Sequence, residues 1–249
     1  MSALISPSAV ASPAWPAEPV LKVGGITPFT ATDYPGKLAA VVFVQGCPWR
    51  CGYCHNPHLQ PRTVDSPLHW TNVLALLERR VGLIDAVVFS GGESTIDSAL
   101  RDAILDVRAL GFGVGLHTAG IYPERLADIL MMVDWVGLDI KAPFDRYERI
   151  TGMPDSGRQA LASAEAVLAS GVQHEFRTTI HPTLLDETDI LNLATTLSGM
   201  GVNDYALQVF RSQGCRDDRL NAVSAVGYPT EGLVQRVSAL FPRFTLRRA

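Results

Sequence analysis

The stretch that decides the fold is Leu38-Ala-Ala-Val-Val-Phe-Val-Gln45, followed at once by Gly-Cys47-Pro-Trp-Arg-Cys51-Gly-Tyr-Cys54. Its first half is an apolar run rich in β-branched residues, which is typical of a buried strand. Its second half places three thiols within eight residues, at the point where the strand ends. The sequence therefore predicts a buried strand that leads directly into a cysteine-rich loop.

Similar apolar runs recur along the chain and alternate with segments of helical spacing. The predicted strands are Leu38–Gln45, Asp85–Ser90, Gly113–Thr118, Trp135–Ile140, His174–Ile180 and Tyr205–Phe210. The predicted helices are Leu68–Arg80, Ile96–Leu110, Pro123–Met132, Arg158–Ser170 and Glu187–Met200, with a last helix at Pro229–Leu240 and a short final strand at Arg243–Leu246. This alternation is typical of βα units around a parallel sheet. Periodicity leaves both a partial barrel and an open doubly wound sheet as candidates, and both place a site at the carboxyl ends of the strands.

Size and composition favour a single α/β domain. The chain has 249 residues, of which 47% are hydrophobic, so it can bury a full core. A formal net charge of -4 disfavours a nucleic-acid partner. No apolar stretch reaches the ~20 residues that cross a bilayer, so we expect no membrane association and a cytoplasmic protein. The start of the chain is rich in Pro, Ala and Ser, and we expect residues 1–23 to be a disordered extension of a domain at 24–249.

The clustered cysteines indicate a metal site rather than a disulfide scaffold. Three thiolates on one loop suit either an iron–sulfur cluster or zinc. A closed zinc site needs a fourth protein ligand. The candidates for that ligand are His55, His58 and Cys215. A cubane held by three cysteines would instead leave one iron free to bind a small molecule. Buried free cysteines or a zinc knuckle are the alternative interpretation.

Further chemistry-bearing residues follow the other predicted strands. Gly91-Gly92-Glu93 follows the second strand; its glycines allow a close backbone approach, and its carboxylate can bind a cation. Asp139 and Lys141 alternate at the end of the fourth strand and so project to one side. A strand-end ion pair is the structural alternative for these two residues.

The Cys-x3-Cys-x2-Cys loop after the first strand, with Gly-Gly-Glu after the second, resembles the radical S-adenosylmethionine superfamily. The flanking Asp33-Tyr-Pro-Gly36 and Cys54-His-Asn-Pro57 segments resemble, more narrowly, the activating proteins of anaerobic ribonucleoside-triphosphate reductase. The resemblance runs from about Gly24 to the last strand. It implies a partial (β/α)6 barrel of the radical SAM type over residues 24–249.

The resemblance also implies the cofactors and their contacts. A [4Fe–4S] cluster is expected on Cys47, Cys51 and Cys54, and S-adenosylmethionine beside it. Contacts to S-adenosylmethionine are implied for Gly91, Gly92, Glu93, Thr118, Asp139, Lys141, Arg177 and Gln208. Glu93 is expected to bind the amino group of the methionine moiety and Arg177 its carboxylate.

Three further residues can be compared with the family pattern. Phe210 is expected to flank the adenine together with Gln208, although its alternating strand is equally consistent with sheet core. Ser94 stands where the family commonly has proline. His117 stands where some relatives carry an acidic residue, so a bound monovalent cation is not indicated.

The implied reaction is the reductive cleavage of S-adenosylmethionine to a 5′-deoxyadenosyl radical, which removes a hydrogen from a glycine of anaerobic ribonucleoside-triphosphate reductase. Flavodoxin or ferredoxin is the expected electron donor. The rivals are an activase of another glycyl-radical enzyme and a radical enzyme with a small-molecule substrate. A different class, an iron–sulfur electron carrier or zinc module, predicts a fourth protein ligand and no role for Glu93.

Overall fold

The computed structural model describes residues 20–248, and its central element is one eight-stranded sheet. The strands are β1 (Val23–Thr30), β2 (Ala39–Val44), β3 (Ala86–Gly91), β4 (Gly113–Thr118), β5 (Trp135–Asp139), β6 (Gln173–Ile180), β7 (Asp204–Val209) and β8 (Arg243–Arg247). They lie in chain order across the sheet. β1 is antiparallel to β2, and every later neighbour is parallel. The carboxyl ends of β2 to β8 therefore meet at one edge.

Helices connect the parallel strands. They are α1 (Trp70–Glu78), α2 (Leu100–Ala109), α3 (Pro123–Leu130), α4 (Glu148–Thr151), α5 (Ser156–Ser170), α6 (Glu187–Gly199), α7 (Asp218–Asn221) and α8 (Glu231–Ser238). Single turns of 3₁₀ helix lie at Pro57–Leu59, Ser94–Ile96 and Phe144–Arg146. In the part of the chain that the structure describes, no helix has the length and apolarity to cross a bilayer.

The six predicted βα strands are confirmed as β2 to β7, and the α/β fold is that of a partial (β/α)6 barrel. β1, α4 and α7 are additions that the sequence did not predict. β1 contains Gly24, Gly25 and Pro28, which are depleted in strands, but an edge strand tolerates them. α4 and α7 have four residues each, too few to show a helical period.

The folded part begins earlier than the expected boundary at residue 24. Leu21 is 1% exposed and Val23 is fully buried, and both belong to the main hydrophobic core. The Lys22 carbonyl accepts a hydrogen bond of 2.8 Å from the Gln45 amide, just beyond β2. Residues 1–19 of the expected extension lie outside the described residues. These contacts thus connect the start of β1 to β2, the strand that leads into the cysteine loop.

We expect Leu21→Ala to lower the free energy of unfolding by about 2–5 kcal/mol, because it removes a fully buried side chain. Val20→Ala is the matched control, since Val20 is 58% exposed and should change stability by less than about 0.5 kcal/mol. Urea unfolding of the cluster-free protein measures both. Equal effects of the two substitutions would contradict the placement of this boundary.

Candidate active site

A cavity at the carboxyl edge of the sheet brings together ten of the eleven residues that the sequence assigned to the cluster and the cofactor. They are Cys47, Cys51, Cys54, Gly91, Gly92, Thr118, Asp139, Lys141, Arg177 and Gln208. The eleventh, Glu93, is 1% exposed and lies behind this wall rather than in it. Phe210, expected beside the adenine, packs against the rings of His55 and His181.

Backbone hydrogen bonds fix the cysteine loop as it leaves β2. The amides of Gly46 and Cys47 donate to the carbonyls of Leu59 and Gln60, at 2.8 and 3.0 Å. The Arg50 amide donates to the carbonyl of Thr151 at 2.8 Å. Because both sides of the loop are tied to other segments, the first thiol has a defined place at the edge of the sheet.

The Gly91-Gly92-Glu93 turn is joined to the same loop. Gly92 N–H donates to the Val44 carbonyl at 3.0 Å, and Glu93 N–H donates to the Gly46 carbonyl at 2.8 Å. A Cβ on Gly91, whose φ is +129°, would collide with the Val44 backbone, and one on Gly92 would collide with the Gly46 carbonyl. The sequence predicts that these glycines allow the backbone to approach a ligand closely. In the structure they also allow the close approach of Val44, at the end of β2, and of Gly46, at the start of the cysteine loop.

The Glu93 carboxylate is buried and receives hydrogen bonds from neutral donors. Its Oε1 accepts from the Thr95 amide (3.2 Å) and from the hydroxyls of Thr95 and Thr118 (2.6 Å each). Its Oε2 accepts from the Ala119 amide at 2.9 Å. Thr118 and Ala119 both line the cavity. A carboxylate that has no salt bridge within residues 20–248 therefore lies directly behind this part of the wall, and the Thr118 hydroxyl already donates to it.

A positive group lies elsewhere on the wall. Arg177 is 8% exposed; its Nε donates to Asp139 Oδ1 at 2.9 Å, and its Nη2 donates to the Gly137 carbonyl at 3.3 Å. A Cβ on Gly137 would lie 2.7 Å from the guanidinium carbon, so glycine at this position in β5 leaves room for the arginine. Burial opposes ionisation of Asp139, but Arg177 and Lys141 outweigh it and hold the pKa of this carboxyl below its usual value.

His117 is neutral in this setting, because burial and the Arg177 guanidinium lower its pKa to about 3. Its Nε2 lies 2.8 Å from the Asp33 carbonyl and 3.3 Å from Arg177 Nη1. A carbonyl can only accept, so the shorter contact assigns the proton to Nε2. His117 then cannot accept from Arg177, and among the described residues Nη1 has no other hydrogen-bond partner, although Arg177 lines the cavity.

Lys141 and a set of aromatic rings complete the wall near the cysteines. Its Nζ lies 5.5 Å from the centre of the Tyr53 ring, and its amide donates to the Tyr147 hydroxyl at 2.9 Å. Burial disfavours the ammonium, but Tyr53, Cys51 and Asp139 outweigh that effect and raise the pKa of Lys141 well above its usual value. Trp49, 2% exposed, packs edge-on against Tyr147.

The comparison with known families decides what kind of site this is. The sequence model of the Radical SAM superfamily matches residues 41–194, which include most of β2, the three cysteines and the Gly-Gly-Glu turn. The chain belongs to the radical SAM superfamily. This radical SAM protein is also 30% identical over 211 residues to a protein of Methanocaldococcus jannaschii named as a glycyl-radical enzyme activating enzyme, covering 79% of this chain and 82% of the relative.

One further relative is similar in sequence, and one solved structure is similar in fold. The pyruvate formate-lyase-activating enzyme of Clostridium pasteurianum is 33% identical over 174 residues, covering 68% of this chain and 72% of that one. Streptococcus suis SuiB, crystallised with the precursor peptide SuiA, superposes with a TM-score of 0.61 at 15% identity. That match covers 83% of this chain and spans about half of SuiB, at 48%. At this identity the likeness to SuiB shows the fold alone.

The superfamily implies a [4Fe–4S] cluster and S-adenosylmethionine, and the donor set fits the cluster. Three thiols line one cavity. Burial and the Glu93 carboxylate raise the pKa of Cys47 to about 12. A cation such as iron bound beside this thiol would favour its ionisation. Within residues 20–248, no three His, Cys, Asp or Glu side chains form a ready site for a single metal ion.

Two of the three residues considered for a fourth ligand, Cys215 and His55, make other contacts. Cys215 Sγ lies 3.5 Å from the Gly52 carbonyl and accepts from the Asp217 amide at 3.4 Å. His55 Nε2 lies 3.0 Å from the Arg211 carbonyl. These contacts give no support to the closed zinc site.

Several residues of the site escaped the sequence argument. Trp49 and Tyr53 lie between the cysteines and looked like ordinary apolar spacers. Gly137 carried a usable signal, because a lone glycine inside a strand often marks a close approach by another group. The guanidinium of Arg177 is that group.

We expect Gly91→Ala to lower the free energy of unfolding by about 3 kcal/mol or more and to reduce the iron bound on reconstitution, because the new Cβ would push β3 away from β2. Gly111→Ala is the control: Gly111 also has a positive φ, of +87°, but has open space around it. It should cost only about 1–2 kcal/mol and leave iron binding intact. Urea unfolding and iron analysis distinguish the two, and normal iron binding by Gly91→Ala would contradict the role given to this turn.

Proposed function

We propose that this radical SAM protein activates a glycyl-radical enzyme, and that its partner is anaerobic ribonucleoside-triphosphate reductase. The similarity to the M. jannaschii activating enzyme, which covers about four fifths of both chains, carries the first part. The Asp33-Tyr-Pro-Gly36 and Cys54-His-Asn-Pro57 segments support the second. The Asp33 carbonyl contacts His117, a residue of the cavity wall, so the first segment lies at the site. Four free cysteines suit the reducing cytoplasm, where we place the reaction.

Cys47, Cys51 and Cys54 would hold the cluster, which supplies one electron to the sulfonium of S-adenosylmethionine and so yields methionine and the 5′-deoxyadenosyl radical. The residues of this chain bind and orient the cofactor. Its carboxylate would accept from the Nη1 hydrogens of Arg177, which Asp139 and the Gly137 carbonyl hold in place.

The amino group of the cofactor would lie toward Glu93. Gly91 and Gly92 line the cavity there, and the Glu93 carboxylate beside Thr118 and Ala119 supplies the negative charge that an ammonium requires. We assign Lys141 and Gln208 to polar contacts with the remainder of the cofactor, as cavity-lining residues. Held by its amino and carboxylate groups in this way, the methionine part of the cofactor has one orientation relative to the thiols.

Glu93→Gln should weaken S-adenosylmethionine binding by about 10–100-fold, since it removes one charge-assisted interaction of about 1.5–3 kcal/mol. Bound iron should stay unchanged, because the cysteines are untouched. Isothermal titration of the reconstituted protein measures the affinity. Glu124→Gln, at an exposed position at the start of α3, is the matched control and should bind normally. Unaltered affinity in Glu93→Gln would rule out the assigned role.

The partner is tested by adding candidate glycyl-radical proteins to the reduced, cofactor-loaded protein and recording the EPR spectrum. A glycyl-radical signal on anaerobic ribonucleoside-triphosphate reductase, with one 5′-deoxyadenosine per radical, is the expected result. The second candidate is pyruvate formate-lyase, favoured by the 33% identity to its activating enzyme in C. pasteurianum. A radical on the lyase alone would show that the reductase is not the partner and that the lyase is.

A further inference from the structure

The outer side of the cysteine loop carries two adjoining surface hollows. Arg50, Gly52, Asp217 and Arg219 line both of them. The first also includes Arg149, and the second includes Arg216. We call Arg50, Arg149, Arg216 and Arg219 the arginine rim. The second hollow reaches Cys51 and Cys54, which also line the inner cavity, so the cysteine loop separates a surface hollow from the cofactor cavity.

The arginine rim carries a local excess of positive charge in a chain whose net charge is -4. Four arginines face two aspartates, Asp217 and Asp218, across the two hollows. Asp217 is already paired with Arg219 at 2.9 Å. No salt bridge within residues 20–248 involves the other three arginines of the rim. Their charges are therefore available to an acidic partner.

Arg50 brings one of these charges directly to the cysteine loop. Its Nη1 donates to the carbonyl of Cys47 at 2.6 Å and to that of Trp49 at 3.0 Å. Both acceptors are neutral, so the bonds hold the guanidinium in place without cancelling its charge. Arg149 and Arg216 are exposed on either side of this point.

The position of the rim suits the entry of an electron. The reaction proposed above needs one electron delivered to the group that the cysteines hold, while the inner cavity is filled by the cofactor. The second hollow offers a separate route, because Cys51 and Cys54 meet the surface there. Complexes between redox proteins have small interfaces and short lifetimes, and complementary charge speeds their association.

We propose that the arginine rim is the docking surface for an acidic protein that carries single electrons, of the flavodoxin or ferredoxin type. The proposal rests on the proposed function and adds where its electron enters. One electron leaves the reduced carrier and arrives at the cluster held by Cys47, Cys51 and Cys54. The carrier approaches the outer side of the cysteine loop, and the inner side remains free for the glycyl-radical partner.

The test reverses two rim charges with Arg149→Glu and Arg216→Glu in one variant of the cluster-loaded protein. Flavodoxin and ferredoxin are the probes. Affinity is read from carrier fluorescence or calorimetry, and the reduction rate from stopped-flow bleaching of the cluster. With the carrier that reduces the wild type, we expect Kd to rise and the rate to fall at least tenfold at low ionic strength. The difference should shrink as salt is added.

The control variant is Lys37→Glu with Arg79→Glu, which changes net charge equally at exposed positions just before β2 and shortly before β3, near the opposite edge of the sheet. It should behave as the wild type. Three results would each overturn the proposal. The rim variant could keep the wild-type Kd and reduction rate, the control variant could lose as much as the rim variant, or the wild type could bind neither carrier. Photoreduced 5-deazaflavin needs no docking, so failure to form 5′-deoxyadenosine with it would count against the proposed function instead.

Discussion

The pairing of the β2 and β3 carboxyl ends is the constraint on which the site depends. Gly92 and Glu93 donate backbone hydrogen bonds to Val44 and Gly46, so the turn that carries the carboxylate and the loop that carries the first thiol form one unit. This contact is possible because neither Gly91 nor Gly92 has a Cβ. A shift of one strand would move the thiols and the Glu93 carboxylate relative to each other, and the geometry of the cofactor site would be lost with it.

The charges around the cavity are arranged in two parts. Glu93 supplies a negative charge behind Thr118 and Ala119, and Arg177 lines another part of the wall. An α-amino acid carries the complementary pair, an ammonium and a carboxylate on the same carbon. Because the protein fixes both groups through buried hydrogen bonds, binding requires little rearrangement of the site, which is how preorganised sites gain affinity and orientation.

The sequence predicted the strands whose apolar runs are long and the residues that end them, because parallel strands deliver their carboxyl ends to one edge. It did not predict β1, whose two glycines and proline hide a strand, or the four-residue helices α4 and α7. It placed Thr118 and Arg177 at the cavity, but not their bonds to Glu93 and Asp139, because these join side chains on different elements. The sequence likewise could not show why Gly91 and Gly92 must lack a Cβ, because that depends on the register of β2 against β3.

We propose that three thiols hold a cluster with one iron open to S-adenosylmethionine. This arrangement is tested by the EPR spectrum of the anaerobically reconstituted, reduced protein, recorded with and without S-adenosylmethionine labelled at its amino nitrogen and carboxylate oxygens. We expect a [4Fe–4S]⁺ signal that changes on addition of the cofactor and shows hyperfine coupling to both labels. A signal that ignores the cofactor, or a preparation that holds only zinc, would contradict it.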